Sequence, residues 1–428
     1  MDYKQTLDYM YAQLPMFTRI GAAALKPDLT NTLALCEALG NPHKKFRTVH
    51  IAGTNGKGST SHMMASILQA AGYKTGLHTS PHLKDFRERT RVNGQMMPED
   101  FVIRFVEENN TLFETIKPSF FEMTVAMCFD YFAKQQVDIA IIETGLGGRL
   151  DSTNIIRPQL SVITNIGWDH TDLLGDTLAK IAFEKAGIIK SNTPVVIGES
   201  DEETAPVFIN KAKDENAPIM FADAQLQLQN FDSRGDVAVF DVWQNNQALF
   251  SAVECDLTGI YQKKNITTVL AAVLQLQEQG WEITEAHIRQ GLQSVKSSTG
   301  LMGRWQKLSD NPLTYADTGH NLNGIQEVLK QISLTPHSQL HIVWGMVKDK
   351  DITKVLGLLP PKAHYYFCNA QLPRALPAAE MQQQATAFGL QGNHYPTVAE
   401  ALKAAQTTAQ QGDLVFVGGS TFVVAEVV

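Results

Sequence analysis

From residue 47 onward, short apolar runs alternate with segments whose apolar positions recur every three or four residues. Val49-His50-Ile51-Ala52, Lys74-Thr75-Gly76-Leu77-His78-Thr79, Val137 to Ile142, Leu160 to Ile166 and Pro194 to Ile197 read as strands. Between them residues 99–134 carry a helical pattern interrupted near Lys117-Pro118-Ser119, and Ala182 to Ile189 begins as a helix. Residues 1–46 read as helices and a loop, and residues 200–256 are polar, with strands expected. A helix is expected to open at Gly259-Ile260-Tyr261-Gln262-Lys263-Lys264-Asn265 and run through Leu276. The small-residue turn Ser297-Ser298-Thr299-Gly300 breaks the pattern and serves as the domain boundary. Beyond Gly303-Arg304-Trp305 comes a hairpin, then strands at Leu340–Trp344, Tyr365–Cys368 and Asp413–Val417 with helices between. Strand–helix alternation of this kind predicts parallel sheets, hence an α/β fold in two domains, 1–296 and 297–428.

The first strand ends in the most informative stretch, Gly53-Thr54-Asn55-Gly56-Lys57-Gly58-Ser59-Thr60. A helix should follow at once, with Met63, Met64, Ile67, Leu68 and Ala71 on its apolar face and Gly72 as its stop. Strand, glycine-rich turn and helix are the context of a phosphate-binding loop. Glycines let backbone N–H groups turn inward around phosphate oxygens, and the helix N-terminus and Lys57 add positive charge. The spacing departs from the common pattern. Two residues separate Gly53 from Gly56-Lys57, and Gly58 displaces the hydroxyl to Ser59.

Length and composition narrow the class. A chain of 428 residues favours two domains, and 44% hydrophobic with 19% charged residues is ordinary for a globular protein. A net charge of −8 argues against a nucleic-acid-binding surface. Cys36, Cys128, Cys255 and Cys368 lie far apart, which suggests reduced thiols. With no signal pattern and no apolar run of membrane length, a cytoplasmic protein that engages neither membrane nor nucleic acid is expected.

Other candidate groups cluster at predicted strand ends. Ser80-Pro81-His82-Leu83 leaves the second strand, and a charge-dense loop and short hairpin follow, Asp85 to Gly94, most of whose charges should be solvated. Glu143 closes an apolar strand, where a magnesium ligand is wanted beside a phosphate loop, and Thr144-Gly145-Leu146-Gly147-Gly148-Arg149-Leu150-Asp151 follows it. His170, after Gly167-Trp168-Asp169, emerges from the same sheet edge as Lys57, Ser80 and Glu143. By position alone Lys185 is an ordinary helical lysine, Asn265 a helix cap, and Phe120 and Phe121 core residues.

The wording Gly-Thr-Asn-Gly-Lys-Gly-Ser resembles the loop of the Mur ligase family, in particular its folylpolyglutamate and dihydrofolate synthase branch. Met16-Phe17, Gly21 to Leu25, Ser80-Pro81-His82-Leu83, Ser119-Phe120-Phe121-Glu122, Glu184-Lys185-Ala186-Gly187, Gly345 to Asp351 and Pro373-Arg374-Ala375 extend the resemblance in order along nearly the whole chain. It implies a P-loop ATP-binding domain followed by a smaller Rossmann-like domain. It implies an ATP-dependent amide ligase, a monomer, that adds L-glutamate to folate and also to dihydropteroate through an acyl phosphate. By this resemblance Thr54, Asn55, Gly56, Lys57, Gly58, Ser59, Asn265, Arg304 and Asp317 hold the nucleotide. Ser80, Glu143, His170 and Lys185 as a carbamate hold one or two Mg2+ ions. Pro81, His82, Ser119, Phe121, Glu122, Leu150 and Asp151 face the pterin substrate, and His320 joins Lys57 and Lys185 in catalysis at the phosphate and glutamate region.

Two rival readings stand beside this one. A Mur ligase acting on a UDP-linked cell-wall peptide shares loop, metal site and mechanism, but the Ser80–Leu83 loop and the Gly147–Asp151 turn favour folate. A nucleotide-gated binding protein that ligates nothing would, as a GTP switch, need an Asn-Lys-x-Asp guanine reader. The nearest string, Asn210-Lys211-Ala212-Lys213, has lysine where the aspartate must be.

Overall fold

The apolar runs become strands buried on both faces. In β1 (Arg47–Ala52) only Arg47 is exposed, and β5 (Ile139–Glu143) and β6 (Leu160–Ile163) are wholly buried. The structure is a computed structural model that describes residues 1–13, 28–348 and 352–428. Met16-Phe17, Gly21 to Leu25 and Asp349 to Asp351 lie outside the described residues. With β2 (Thr75–His78), β3 (Thr90–Val92), β4 (Gln95–Met96), β7 (Val195–Ile197) and β8 (Ile219–Phe221), these strands form an eight-stranded sheet in the order β4-β3-β2-β5-β1-β6-β7-β8. From β2 through β5, β1, β6 and β7 to β8 every pair is parallel, and β3 runs antiparallel to both β2 and β4. Parallel pairing places the β1, β2, β5 and β6 exits on one edge: Ile51 pairs with Glu143, His78 with Ile142 and Ala52 with Ile163.

The helix after β1, Lys57–Ala70, departs from the expected amphipathic pattern. It is buried all round from Ser59 to Leu68, because helices Gln262–Glu278 and Glu285–Gln293 cover the side away from the sheet. Two of its polar residues are satisfied by these neighbours: Ser66 Oγ donates to Gly291 O at 2.6 Å, and His62 Nδ1 lies 2.7 Å from Thr299 Oγ1, whereas the Thr60 and Ser61 hydroxyls are buried without a partner among the described residues. The 200–256 stretch holds a helix, Ala205–Asp214, besides β8 and the antiparallel strands β9 (Leu226–Arg234), β10 (Val237–Gln244) and β11 (Gln247–Cys255). The loop after β2 is also drier than its charges suggest, since Glu88, Arg89 and Arg91 are all buried.

Two compact units result, one of Met1–Thr258 with Gln262–Gly300, the other of Gly259–Tyr261 with Leu301–Val428. Gly259–Tyr261 therefore does not open the helix as expected; the helix starts at Gln262. The second unit is a six-stranded sheet with a hairpin of β12 (Gln306–Asp310) and β13 (Leu313–Ala316) at one edge. β14 (Leu340–Trp344), β15 (His364–Phe367), β16 (Gly392–His394) and β17 (Leu414–Gly418) complete it in the order β12-β13-β17-β14-β15-β16, parallel from β13 onward. All four cysteines are free and buried, and among the described residues no helix is long and apolar enough to cross a membrane.

Candidate active site

The glycines of the loop after β1 are required by close approach. Gly53 has φ +149° and Gly56 φ +83°; a Cβ on Gly53 would lie 1.8 Å from Thr164 Oγ1, and one on Gly56 2.1 Å from Asn265 Oδ1. Neighbouring side chains fix the turn. Thr164 Oγ1 donates to Asn55 O at 2.6 Å, Asn165 Oδ1 accepts from Asn55 N at 2.9 Å, and Thr54 Oγ1 accepts from Gly167 N at 2.9 Å. Gly58 lies in the first helical turn, and the buried Ser59 hydroxyl accepts from Gln262 Nε2 at 3.1 Å. Gln262 Oε1 in turn accepts from Asn265 Nδ2 at 2.8 Å. Asn265 is thus not a cap. It sits inside the helix and lies against Gly56.

Two amines converge on this loop. Lys57 Nζ donates to Gly53 O at 3.0 Å and Thr54 O at 3.3 Å, and Lys185 Nζ donates to Gly53 O at 2.9 Å. Lys185 is buried, and burial together with the Lys57 charge lowers its pKa to about 7, against the pull of Asp169 and Asp151. The turn after β5 holds the Lys185 helix (Leu178–Ala186) by its end: Arg149 N donates to Glu184 O at 2.7 Å, and a Cβ on Gly187 would fall 2.3 Å from Arg149 Cα.

Of the expected metal set, Ser80 and Glu143 meet. The buried Glu143 Oε2 lies 3.4 Å from Ser80 N, at the long end for a hydrogen bond. His170, with φ +50°, has its Nε2 3.8 Å from Asp169 Oδ1, and Asp169 is also the acid that acts on Lys185. Among the described residues no three His, Cys, Asp or Glu side chains gather as a ready-made metal centre. The expected set contains only two such residues and completes itself with a hydroxyl and a modified lysine. A buried carboxylate near a serine residue is a source of hard oxygens, which suits Mg2+.

The substrate candidates divide. Pro81 is exposed and Leu150 half-buried. His82 is half-buried, and its Nδ1 accepts from Arg89 Nε at 2.7 Å; burial and the Arg89 charge push it down to about 3, so the ring is neutral. Phe121 lies over Gly145, where a Cβ would meet its ring at 2.5 Å. Ser119 and Glu122 form a capping box on helix Phe120–Gln135, leaving Glu122 Oε1 buried without a partner. Asp151 holds the turn: it accepts from Leu146 N at 2.8 Å, Thr153 N at 3.0 Å and Thr153 Oγ1 at 2.5 Å. Thr153 Oγ1 also meets His50 Nε2 at 2.8 Å. Burial raises the Asp151 pKa, and these hydrogen bonds oppose the rise.

In the second unit Asp317 is buried and committed to its own fold. It accepts from Trp305 N at 2.7 Å, Gly319 N at 2.8 Å and the Tyr261 hydroxyl. Burial raises its pKa, against Tyr261 and Arg304. Arg304 Nη1 donates to the Thr318 hydroxyl and His320 Nδ1 donates to Thr318 O at 3.0 Å, while Asn321 caps helix Leu322–Leu334. Thr164, Asn165, Gln262 and Tyr261 were not picked out from the sequence. The positions just past β6 and just before the helix at Gln262 were the available signal, since both border the loop or its supports.

A family model for the Mur ligase middle domain matches residues 51–273, and one for the Mur ligase glutamate ligase domain matches 303–421. A dihydrofolate synthase/folylpolyglutamate synthase of Bacillus subtilis is 32% identical over 413 residues, 94% of each chain. The protein of the same description from Escherichia coli is 34% identical over 378 residues, 88% of this chain and 85% of the relative. The structure of Escherichia coli FolC in complex with DHPP and ADP superposes with a TM-score of 0.86 at 30% identity, over 100% of this chain and 97% of the other.

Proposed function

The chain belongs to the Mur ligase family, and on that premise we propose that it joins L-glutamate to folate and to dihydropteroate at the expense of ATP. It is an ATP-dependent ligase of the folylpolyglutamate and dihydrofolate synthase kind. The observation that carries the reading is the convergence of Lys57 and Lys185 on the Gly53 carbonyl, beneath a loop whose glycines admit no side chain.

A carboxylate is a poor electrophile. The substrate acid therefore takes the γ-phosphoryl group of ATP, the glutamate amine attacks the acyl phosphate, and phosphate leaves. Three anions must be brought together, so the loop needs cationic cover and backbone N–H donors. Lys57 turns from the Gly53 carbonyl to the phosphates when nucleotide binds. Thr54 and Asn55, clamped by Gly167 and Asn165, keep the loop from re-forming around its own carbonyls. Ser80 and Glu143 would hold Mg2+, to which His170 and Lys185 as a carbamate are also assigned, and the cation when bound supplies neutralisation of phosphate charge. Asn265, through its contact with Gly56, and Arg304, with Asp317 as its support, are assigned to the nucleotide; His320 is assigned to the phosphate and glutamate region. Phe121, His82 and Leu150 are assigned to the pterin, with Ser119, Glu122 and Asp151 shaping the turns that carry them.

Lys185 is suited to carbamylation. Its depressed pKa, about 7, leaves a large neutral fraction at neutral pH. A neutral amine adds carbon dioxide: an N–C bond forms and one proton is released to solvent. The product is an anion near Asp169 and Asp151, so it persists only with a compensating cation at the same place.

The test is turnover of purified protein with ATP, magnesium and glutamate, offered dihydropteroate or tetrahydrofolate separately. ADP release with both supports the two activities; release with tetrahydrofolate alone removes the dihydrofolate synthase half.

A further inference from the structure

The loop after β2 holds a buried charge that no carboxylate among the described residues pairs with. Arg89 is 4% exposed, yet among the described residues its side chain makes one hydrogen bond, from Nε to His82 Nδ1 at 2.7 Å, and no ion pair. The acids near it in sequence are engaged elsewhere. Glu88 accepts from the backbone N–H groups of Leu83, Lys84 and Asp85 at 2.8, 2.9 and 2.8 Å, and Asp85 is paired with Arg87 and Tyr3. Tyr11, Glu143 and Glu88 act on Arg89 only through space.

Among the described residues the Nη1 and Nη2 atoms have no acceptor, and neither is one of the buried side-chain atoms left without a partner. Aromatic rings lie beside them. The guanidinium carbon lies 5.5 Å from the Phe120 centroid, Phe86 packs on Phe120 at 5.8 Å, and His82 packs on Phe86 at 6.2 Å. A guanidinium buried with one neutral hydrogen-bond acceptor and a ring face is costly to the fold, and an acceptor arriving from outside would offset that cost.

We infer that Arg89 is a substrate-binding residue whose free edge reads the acceptor side of a flat heteroaromatic ring. This rests on the reading that the substrate carries a pterin. An oxidised or 7,8-dihydro pterin presents a ring oxo oxygen and the neighbouring imine N5 side by side. That is the spacing a guanidinium fork pairs with at the O6 and N7 of guanine. In a tetrahydropterin N5 carries a hydrogen, and the fork keeps only the oxo oxygen in the ring plane. Arg89 therefore favours dihydropterin over tetrahydropterin substrates.

Arg89→Met tests this, because methionine fills the site without charge. Its KM for dihydropteroate should rise about 10- to 100-fold, the loss of a charge-assisted pair, and its KM for tetrahydrofolate by clearly less. The KM values for ATP and glutamate should not move, and the substrate-free melting temperature should hold or rise. Arg89→Lys should not restore the dihydropteroate KM, since an ammonium cannot form the fork. Thermal shifts locate the contact independently of turnover. Stabilisation by 6-hydroxymethyl-7,8-dihydropterin should be lost in Arg89→Met, and stabilisation by p-aminobenzoylglutamate kept. An unchanged dihydropteroate KM overturns the inference, as does a fall in melting temperature with all KM values rising together. Loss of the p-aminobenzoylglutamate shift alone also overturns it, by giving the fork to a carboxylate. If the wild type ligates neither substrate, the ligase reading fails, and the dihydropterin shift still decides Arg89.

Discussion

Lys57 and Lys185 share one carbonyl, yet their environments differ. Lys57 is half-buried at the loop, and Lys57→Ala should lower kcat by at least about a hundredfold while the melting curve stays close to wild type. Near-normal turnover in a folded variant would remove the phosphate-loop assignment. Lys185 is buried with a pKa of about 7 in place of its usual 10.5. Between those two values the unfolded chain holds a proton that the folded chain lacks, so folding grows more favourable as pH rises through that window and is flat below it. Lys185→Met lacks this dependence. Its melting temperature relative to wild type, in carbon-dioxide-free buffer without metal, should be highest at or below pH 7 and fall steadily toward pH 10. A difference independent of pH would mean the amine is not depressed. Lys185→Arg should be inactive, since arginine keeps its charge and cannot be carbamylated.

Elements, more than single residues, decide how the turns are held. The chain His50–Thr153–Asp151 ties β1, just upstream of the loop, to the turn after β5. Thr153→Val keeps the shape and leaves His50 Nε2 and Asp151 Oδ1 short of a partner, which should cost about 1–3 kcal/mol of stability. Thr153→Ser should retain most of it. Denaturant midpoints of the two variants measure this, and equal loss in both would show that packing, not the hydroxyl, matters. The strand ends and the glycine-rich turns were legible from the sequence because they follow from local rules: apolar runs, glycine, and the parallel order of the exits. What was not legible came from tertiary contact. Glu88, Arg89 and Arg91 read as solvated charges because a charge-dense loop normally is, and only the cover from Phe120 and neighbouring elements makes them buried. Asn265 read as a cap because its approach to Gly56 spans about two hundred residues of chain. Helix Ala205–Asp214 went unread in a polar segment, although Phe208 and Ala212 give it a buried stripe.

At the scale of the whole molecule, the two units bring different chemistry. The first carries the glycine-rich loop proposed to bind phosphate, the two lysines and the Ser80–Glu143 pair; the second carries Arg304, His320 and Asp317, the last bonded to Tyr261 from the short segment Gly259–Tyr261. The middle-domain family model falls mainly in the first unit and the glutamate ligase model in the second. The most direct measurement is ADP release by the full chain with magnesium-ATP while the other substrates are withheld in turn. The account predicts release only when glutamate and a pteroate or folate are both present, in one-to-one ratio with the amide formed. Equal release without glutamate or without the pterin acid, or release that produces no new amide, would contradict it.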